Sequence, residues 1–80
     1  MAQRRVKLTF PPALVTHPII YHLGHKFDVV TDIRRADINE GTGWAVLELE
    51  GEEEAIDAGL AWVASNGVRV DSVSGDVIEG

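Results

Sequence analysis

Three histidines, His17, His22 and His25, are the first residues in this chain whose type suggests chemistry. His22 and His25 lie three apart and could share a helix face, where two imidazoles can hold a metal ion. No cysteine and no well-spaced further ligand joins them, so they read as solvent-exposed helix histidines. The run Glu52-Glu53-Glu54 lacks the alternating oxygens and central glycine of a calcium loop. It reads as a helix start, where carboxylates suit the positive end of the helix dipole. Gly41-Thr42-Gly43 is too short for a phosphate-binding loop and leads into a strand rather than a helix. No serine has a base and an orienting acid near it in sequence. With no catalytic constellation, the chain reads as a non-enzyme, and no metal or other cofactor is implied.

What must position any site is small. Eighty residues can bury one compact core, and a hydrophobic share of 45% with 25% charge is that of a globular chain. We expect one domain over residues 1–80, with a core at about 5–73 and a frayed tail at 74–80. The chain contains no cysteine, which removes disulfide scaffolds, thiolate zinc sites and cysteine nucleophiles together and fits a reducing cytoplasm. The start Met-Ala-Gln-Arg-Arg is followed by no apolar run, and nothing approaches the ~20 apolar residues of a membrane span. The expectation is a soluble cytoplasmic protein without membrane insertion.

The net charge of -6 is unevenly spread. Residues 1–40 hold six basic and four acidic side chains, whereas 41–80 hold one basic and nine acidic. Only Arg4, Arg5, Lys7, Arg34 and Arg35 offer a positive patch of the kind that displaces nucleic acid counterions. They read as the solvated face of two neighbouring strands, and no nucleic acid partner is expected.

The element order follows from periodicity. Val6, Leu8 and Phe10 alternate with Arg5, Lys7 and Thr9, the period of a half-buried strand, and Pro11-Pro12 stops it. A helix capped by Thr16, with Pro18 in its first turn, is predicted from about His17 to Lys26, with Ile19, Ile20, Leu23 and Phe27 on one face. Asp28 to Ile38 predicts a strand rich in β-branched residues. Asn39 to Gly43 suits a hairpin turn, and Trp44 to Glu50 its returning strand. A second helix opens after Gly51, its stripe formed by Ala55, Ile56, Leu60 and Val63, with Gly59 allowing close approach to the sheet. Asn66-Gly67 ends it, and Val68 to Val73 is a short last strand.

The fold class is therefore α+β: a ferredoxin-like (ACT-like) βαββαβ sandwich, a four-stranded antiparallel sheet with two helices on one face. Right-handed crossovers place the first and third strands in the middle. Arg5, Lys7, Trp44, Val46 and Glu48 then fall on the uncovered side. Trp44 and Val46 there form the centre of a contact surface, or Trp44 packs on the hairpin at a strand end. Self-association through this side or through a strand edge is expected.

Folds of this class host many functions. An acylphosphatase needs an arginine-bearing phosphate cradle where this chain has Pro11-Pro12-Ala13-Leu14-Val15. A copper carrier needs a cysteine pair there. RNA recognition needs stacking aromatics on the central strands, which offer Trp44 alone.

From Arg5 to Val73 the chain resembles the NIL domain, found at the C-terminus of methionine-importing ABC transporter ATPases and as a short free-standing or ferredoxin-associated protein. The resemblance is carried by Val6-Lys7-Leu8-Thr9-Phe10, Pro18-Ile19-Ile20, Phe27-Asp28-Val29-Val30, Gly43, Leu47-Glu48-Leu49-Glu50-Gly51 and Asn66-Gly67-Val68. The family is named for Asn-Ile-Leu in the second strand, and here those positions read Asp32-Ile33-Arg34. The resemblance implies a non-catalytic regulatory domain, a homodimer that binds a small amino-acid ligand, with methionine first, near the subunit interface. Asp32, Ile33 and Arg34 would line that site. It also implies a transporter or ferredoxin as a possible protein partner. A carboxylate at Asp32 repels a ligand carboxylate that an asparagine would receive. It can instead meet an ammonium group or pair with Arg5, Arg34 or Lys7.

Overall fold

A computed structural model describes residues 1–14, 17–39 and 43–73. Strands β1 (Ala2–Phe10), β2 (Val30–Ile38), β3 (Gly43–Gly51) and β4 (Arg69–Ser72) form one antiparallel sheet in the order β2-β3-β1-β4. Helix α1 (Ile19–Phe27) follows β1, after a single 3-10 turn at Pro12–Leu14, and α2 (Glu53–Ser65) follows β3. This is the ferredoxin-like α+β fold, with β1 and β3 central as right-handed crossovers require.

Alternation in the two central strands explains the layering. Val6, Leu8 and Phe10 of β1 pair with Leu47, Ala45 and Gly43 of β3, and all six are buried. Val6, Leu8, Phe10, Ala45 and Leu47 join Ile19 and Leu23 of α1 and Ile56 and Val63 of α2 in one apolar cluster, so both helices lie on the same side. A side chain of this size contributes about 1.5–3 kcal/mol when fully buried. The intervening residues of β1 and β3, from Arg5 to Thr9 and Trp44 to Glu50, are only half-buried on the other side.

The helices meet where Gly59 of α2 faces α1. A Cβ placed on Gly59 would lie 2.6 Å from Leu23 Cδ1 and 3.4 Å from Phe27 Cγ. The glycine therefore allows the two helices to approach each other, not α2 to approach the sheet as its spacing had predicted.

Element ends differ from the periodicity by a residue or two for identifiable reasons. Asp28, predicted to open β2, instead closes α1 in the left-handed conformation, φ 57 and ψ 47. The Asp28 and Val29 N–H groups both donate to the Gly24 carbonyl, satisfying the last turn of the helix. Pro18 precedes α1, while the Thr16 cap lies outside the described residues, as do residues 40–42 of the hairpin turn and the tail at 74–80. Because left-handed geometry strains any side chain with a Cβ, Asp28→Gly should stabilise the domain by about 0.5–1 kcal/mol, read as a later urea midpoint. Helix α2 ends as expected: Gly67 takes φ 97, with its N–H on the Ala64 carbonyl and that of Val68 on Val63.

Candidate ligand and contact surfaces

Strand β2 is the exposed element of the sheet. It pairs with β3 alone, and every residue but Thr31 is exposed, including Val30 at 58%, Ile33 at 54% and Ile38 at 52%. The register runs Val30 to Ile33 against Glu50 to Leu47, then resumes at Arg35 against Val46, so Arg34 is the extra residue of a β-bulge.

That bulge arranges the three predicted ligand residues around the edge. Asp32 stands opposite Glu48, on the side away from the helices, and Ile33 opposite Leu47, on the helix side. Arg34 reaches back to the bare side, where its Nη1 lies 2.9 Å from Asp32 Oδ2 and its Nε 4.0 Å from Glu48 Oε1. Arg5 Nη2 donates to the same Glu48 oxygen at 3.0 Å. Two carboxylates that face each other across the strands are thus separated and neutralised by two guanidiniums. A ligand touching Asp32, Ile33 and Arg34 together would have to wrap the free edge of β2, since the three do not share one face.

Trp44 and Val46 both sit on the bare side. Trp44 lies opposite Thr9 on β1 and Asp37 on β2, with the Lys7 ammonium 5.1 Å from its ring centroid. Val46, between Lys7 and Arg35, is its apolar neighbour. Arg5, Lys7, Arg34, Arg35 and Arg69 share this side with Asp32, Asp37, Glu48, Glu50 and Asp71, so it carries no net charge. The positive patch expected from sequence is divided: Arg4 lies toward the helices, its Nη1 2.7 Å from Asp57 Oδ1 and its Nη2 3.6 Å from Glu53 Oε2. Arg4→Ala should cost no more than about 1 kcal/mol in a thermal melt, because both carboxylates are solvated.

His22 and His25 lie exposed on α1, whereas His17 precedes the helix. His25 stacks on Tyr21 with centroids 4.1 Å apart, whereas His22 turns its edge toward Trp62 at 6.5 Å. Trp62 also meets Phe27 at 5.9 Å and the Lys26 ammonium at 5.5 Å. Among the described residues no three His, Cys, Asp or Glu side chains could hold a metal ion. This ring cluster escaped the sequence reading, although the i, i+4 spacing of Tyr21 and His25 was the available signal.

The NIL domain family model matches residues 4–72. This chain belongs to the NIL domain family. A crystal structure of the C-terminal domain of an ABC transporter, ATP-binding protein, from Enterococcus faecalis is similar to this NIL domain with a TM-score of 0.79. The two are 25% identical, and the likeness covers 91% of this chain and 86% of that one. No curated protein matches. In this NIL domain Asp32-Ile33-Arg34 fall on the edge strand β2, where the bulge begins. Among the described residues no helix is long and apolar enough to cross a membrane.

Proposed function

We propose that this NIL domain is a non-catalytic regulatory module of the cytoplasm that binds a small amino-acid-like ligand, methionine first, as a homodimer. What carries the reading is the likeness, over nearly the whole length of both chains, to the C-terminal domain of an ABC transporter ATP-binding protein. The ligand would sit at the β2 edge. There Ile33 offers apolar surface to a thioether and Arg34 its guanidinium to a carboxylate, with Asp32 beside them as the charge that holds Arg34. Calorimetry with methionine, its relatives and other sulfur metabolites tests this. Heat of binding with a matching rise in melting temperature is expected, and silence across that panel would dispose of the reading.

The Asp32–Arg34 pair makes a finer prediction. Asp32→Asn removes a charge that repels the ligand carboxylate and frees Arg34 to meet it. Methionine affinity should rise about tenfold, a gain typical of one charge-assisted hydrogen bond. Weaker binding by the variant would mean that Asp32 receives the ligand's ammonium instead.

A second reading has its own support in the bare side, where Trp44 and Val46 stand among balanced charges, which suits a protein contact with a transporter or ferredoxin partner. Trp44→Ala should then abolish co-purification of that partner while leaving the heat of methionine binding unchanged. Retention of the partner by the variant would remove this reading.

A further inference from the structure

The outer surface of the two helices carries a feature that neither the core nor the β2 edge uses. His22 and Lys26, one turn apart on α1, both approach the Trp62 ring on α2, at 6.5 Å and 5.5 Å. Tyr21 and His25, also one turn apart, stack at 4.1 Å, and the Tyr21 ring meets His22 edge-on at 5.4 Å. One continuous band of rings and hydrogen-bond donors therefore crosses both helices. Core packing does not account for it. Tyr21 is 58% exposed, and His22, His25 and Lys26 are exposed beside the half-buried Trp62.

The charge of this band runs against that of the chain. The whole chain carries -6, yet α1 contains no carboxylate. Among the described residues no carboxylate forms an ion pair with His22, His25 or Lys26. Those of α2 are turned elsewhere: Glu53 and Asp57 lie about 180° and about 140° around the helix from Trp62. Both hold Arg4 there. Glu54 is nearer in angle but about 12 Å back along α2. Asp28, the nearest carboxylate in sequence, stands past the end of α1 in its left-handed cap. With charges screened beyond about 8 Å at physiological salt, the local set rather than the total governs what docks here.

We propose that this band docks an acidic segment of another protein. Tyrosine and tryptophan concentrate at the centres of protein contacts, where a rigid ring buries much area. Lys26 supplies an ammonium, and each imidazole an N–H donor. His22 and Lys26 stand about 6 Å apart along α1, the separation of two carboxylates one turn apart on a partner helix. An apolar side chain beside those carboxylates would cover Tyr21 or Trp62. Docking on the helices leaves β2 and the bare side of the sheet free and does not depend on a small ligand.

A fluorescent peptide with glutamates one turn apart around leucines, compared with its glutamine and lysine twins by anisotropy against the full chain, tests this. The glutamate peptide should bind, less well as salt rises, and its twins about tenfold more weakly or worse. Lys26→Glu and Tyr21→Ala should each lower its affinity about tenfold, with an unchanged circular dichroism spectrum because both positions are exposed. Arg69→Glu makes the same change of net charge at an exposed position on the bare side and should leave the affinity within about twofold. Equal losses in Lys26→Glu and Arg69→Glu would overturn the proposal, because net charge alone would then govern binding. A glutamate peptide that binds no better than its lysine twin would do the same. Single-stranded DNA of equal charge binding as well as the peptide would replace the protein partner with a nucleic acid. Amide shifts on peptide binding should gather on α1 and around Trp62, and shifts confined to the sheet would remove this surface.

Discussion

Leu47→Ala should lower the unfolding free energy by about 2–5 kcal/mol, since the void left by a fully buried leucine collapses only in part. Leu47 stands on central strand β3 between Val6 on β1 and Ile33 on β2, beneath the helices, with no exposed surface. For a domain of this size that is a fall of roughly 10–30 °C in melting temperature. It is also a large part of a total stability of about 5–10 kcal/mol. The contrasting variant is one residue away. Val46→Ala, on the bare side, should cost less than about 1 kcal/mol, because no helix packs over it. Thermal melts of the pair check the layering itself, and equal losses would contradict a sheet covered on one side only.

Gly59→Val is the second large effect, expected at about 2–3 kcal/mol. Alanine already presents a conflict: it gains about 1 kcal/mol of helix propensity, yet its Cβ would press on Leu23 Cδ1. Leu23 is fully buried and has little room to give. Valine adds two methyl groups against Leu23 and Phe27 and has the poorer helix propensity, so both terms run the same way. Chemical denaturation measures the loss, and a neutral result would mean that α1 and α2 do not meet at this glycine.

Much of this architecture was legible because it rests on short-range periodicity. The alternation of Val6, Leu8 and Phe10, and of Ala45, Leu47 and Leu49, needs only the two-residue repeat of a strand, and the structure buries all six. The stripe of Ile56 and Val63 likewise needs only the helical repeat, and Asn66-Gly67 needs only the conformational freedom of glycine. What local pattern could not supply was the direction of single residues at boundaries. Asp28 has the composition of a strand neighbour but serves as a left-handed helix end. Gly59 was rightly read as a close-approach glycine, but on the wrong partner. Arg4 was grouped with Arg5 by adjacency, although adjacent strand residues point to opposite sides.

The candidate site shows the same division. The segment Asp32-Ile33-Arg34 came from the family resemblance, whereas residue types alone supplied the option of a surface ion pair for Asp32 and the placement of Trp44 and Val46 on the uncovered side. The bulge at Arg34 came from the fold, because an extra residue in one strand is defined only against the strand it pairs with. It returns Arg34 to the bare side, while Ile33 stands exposed on the other. Sequence by itself determined which residues are apolar, at what period, and hence the element order and the covered side. Tertiary structure alone decided which charges meet, which helix a glycine admits and which edge stays open. Those depend on contacts between residues far apart in the chain, and no local repeat encodes them.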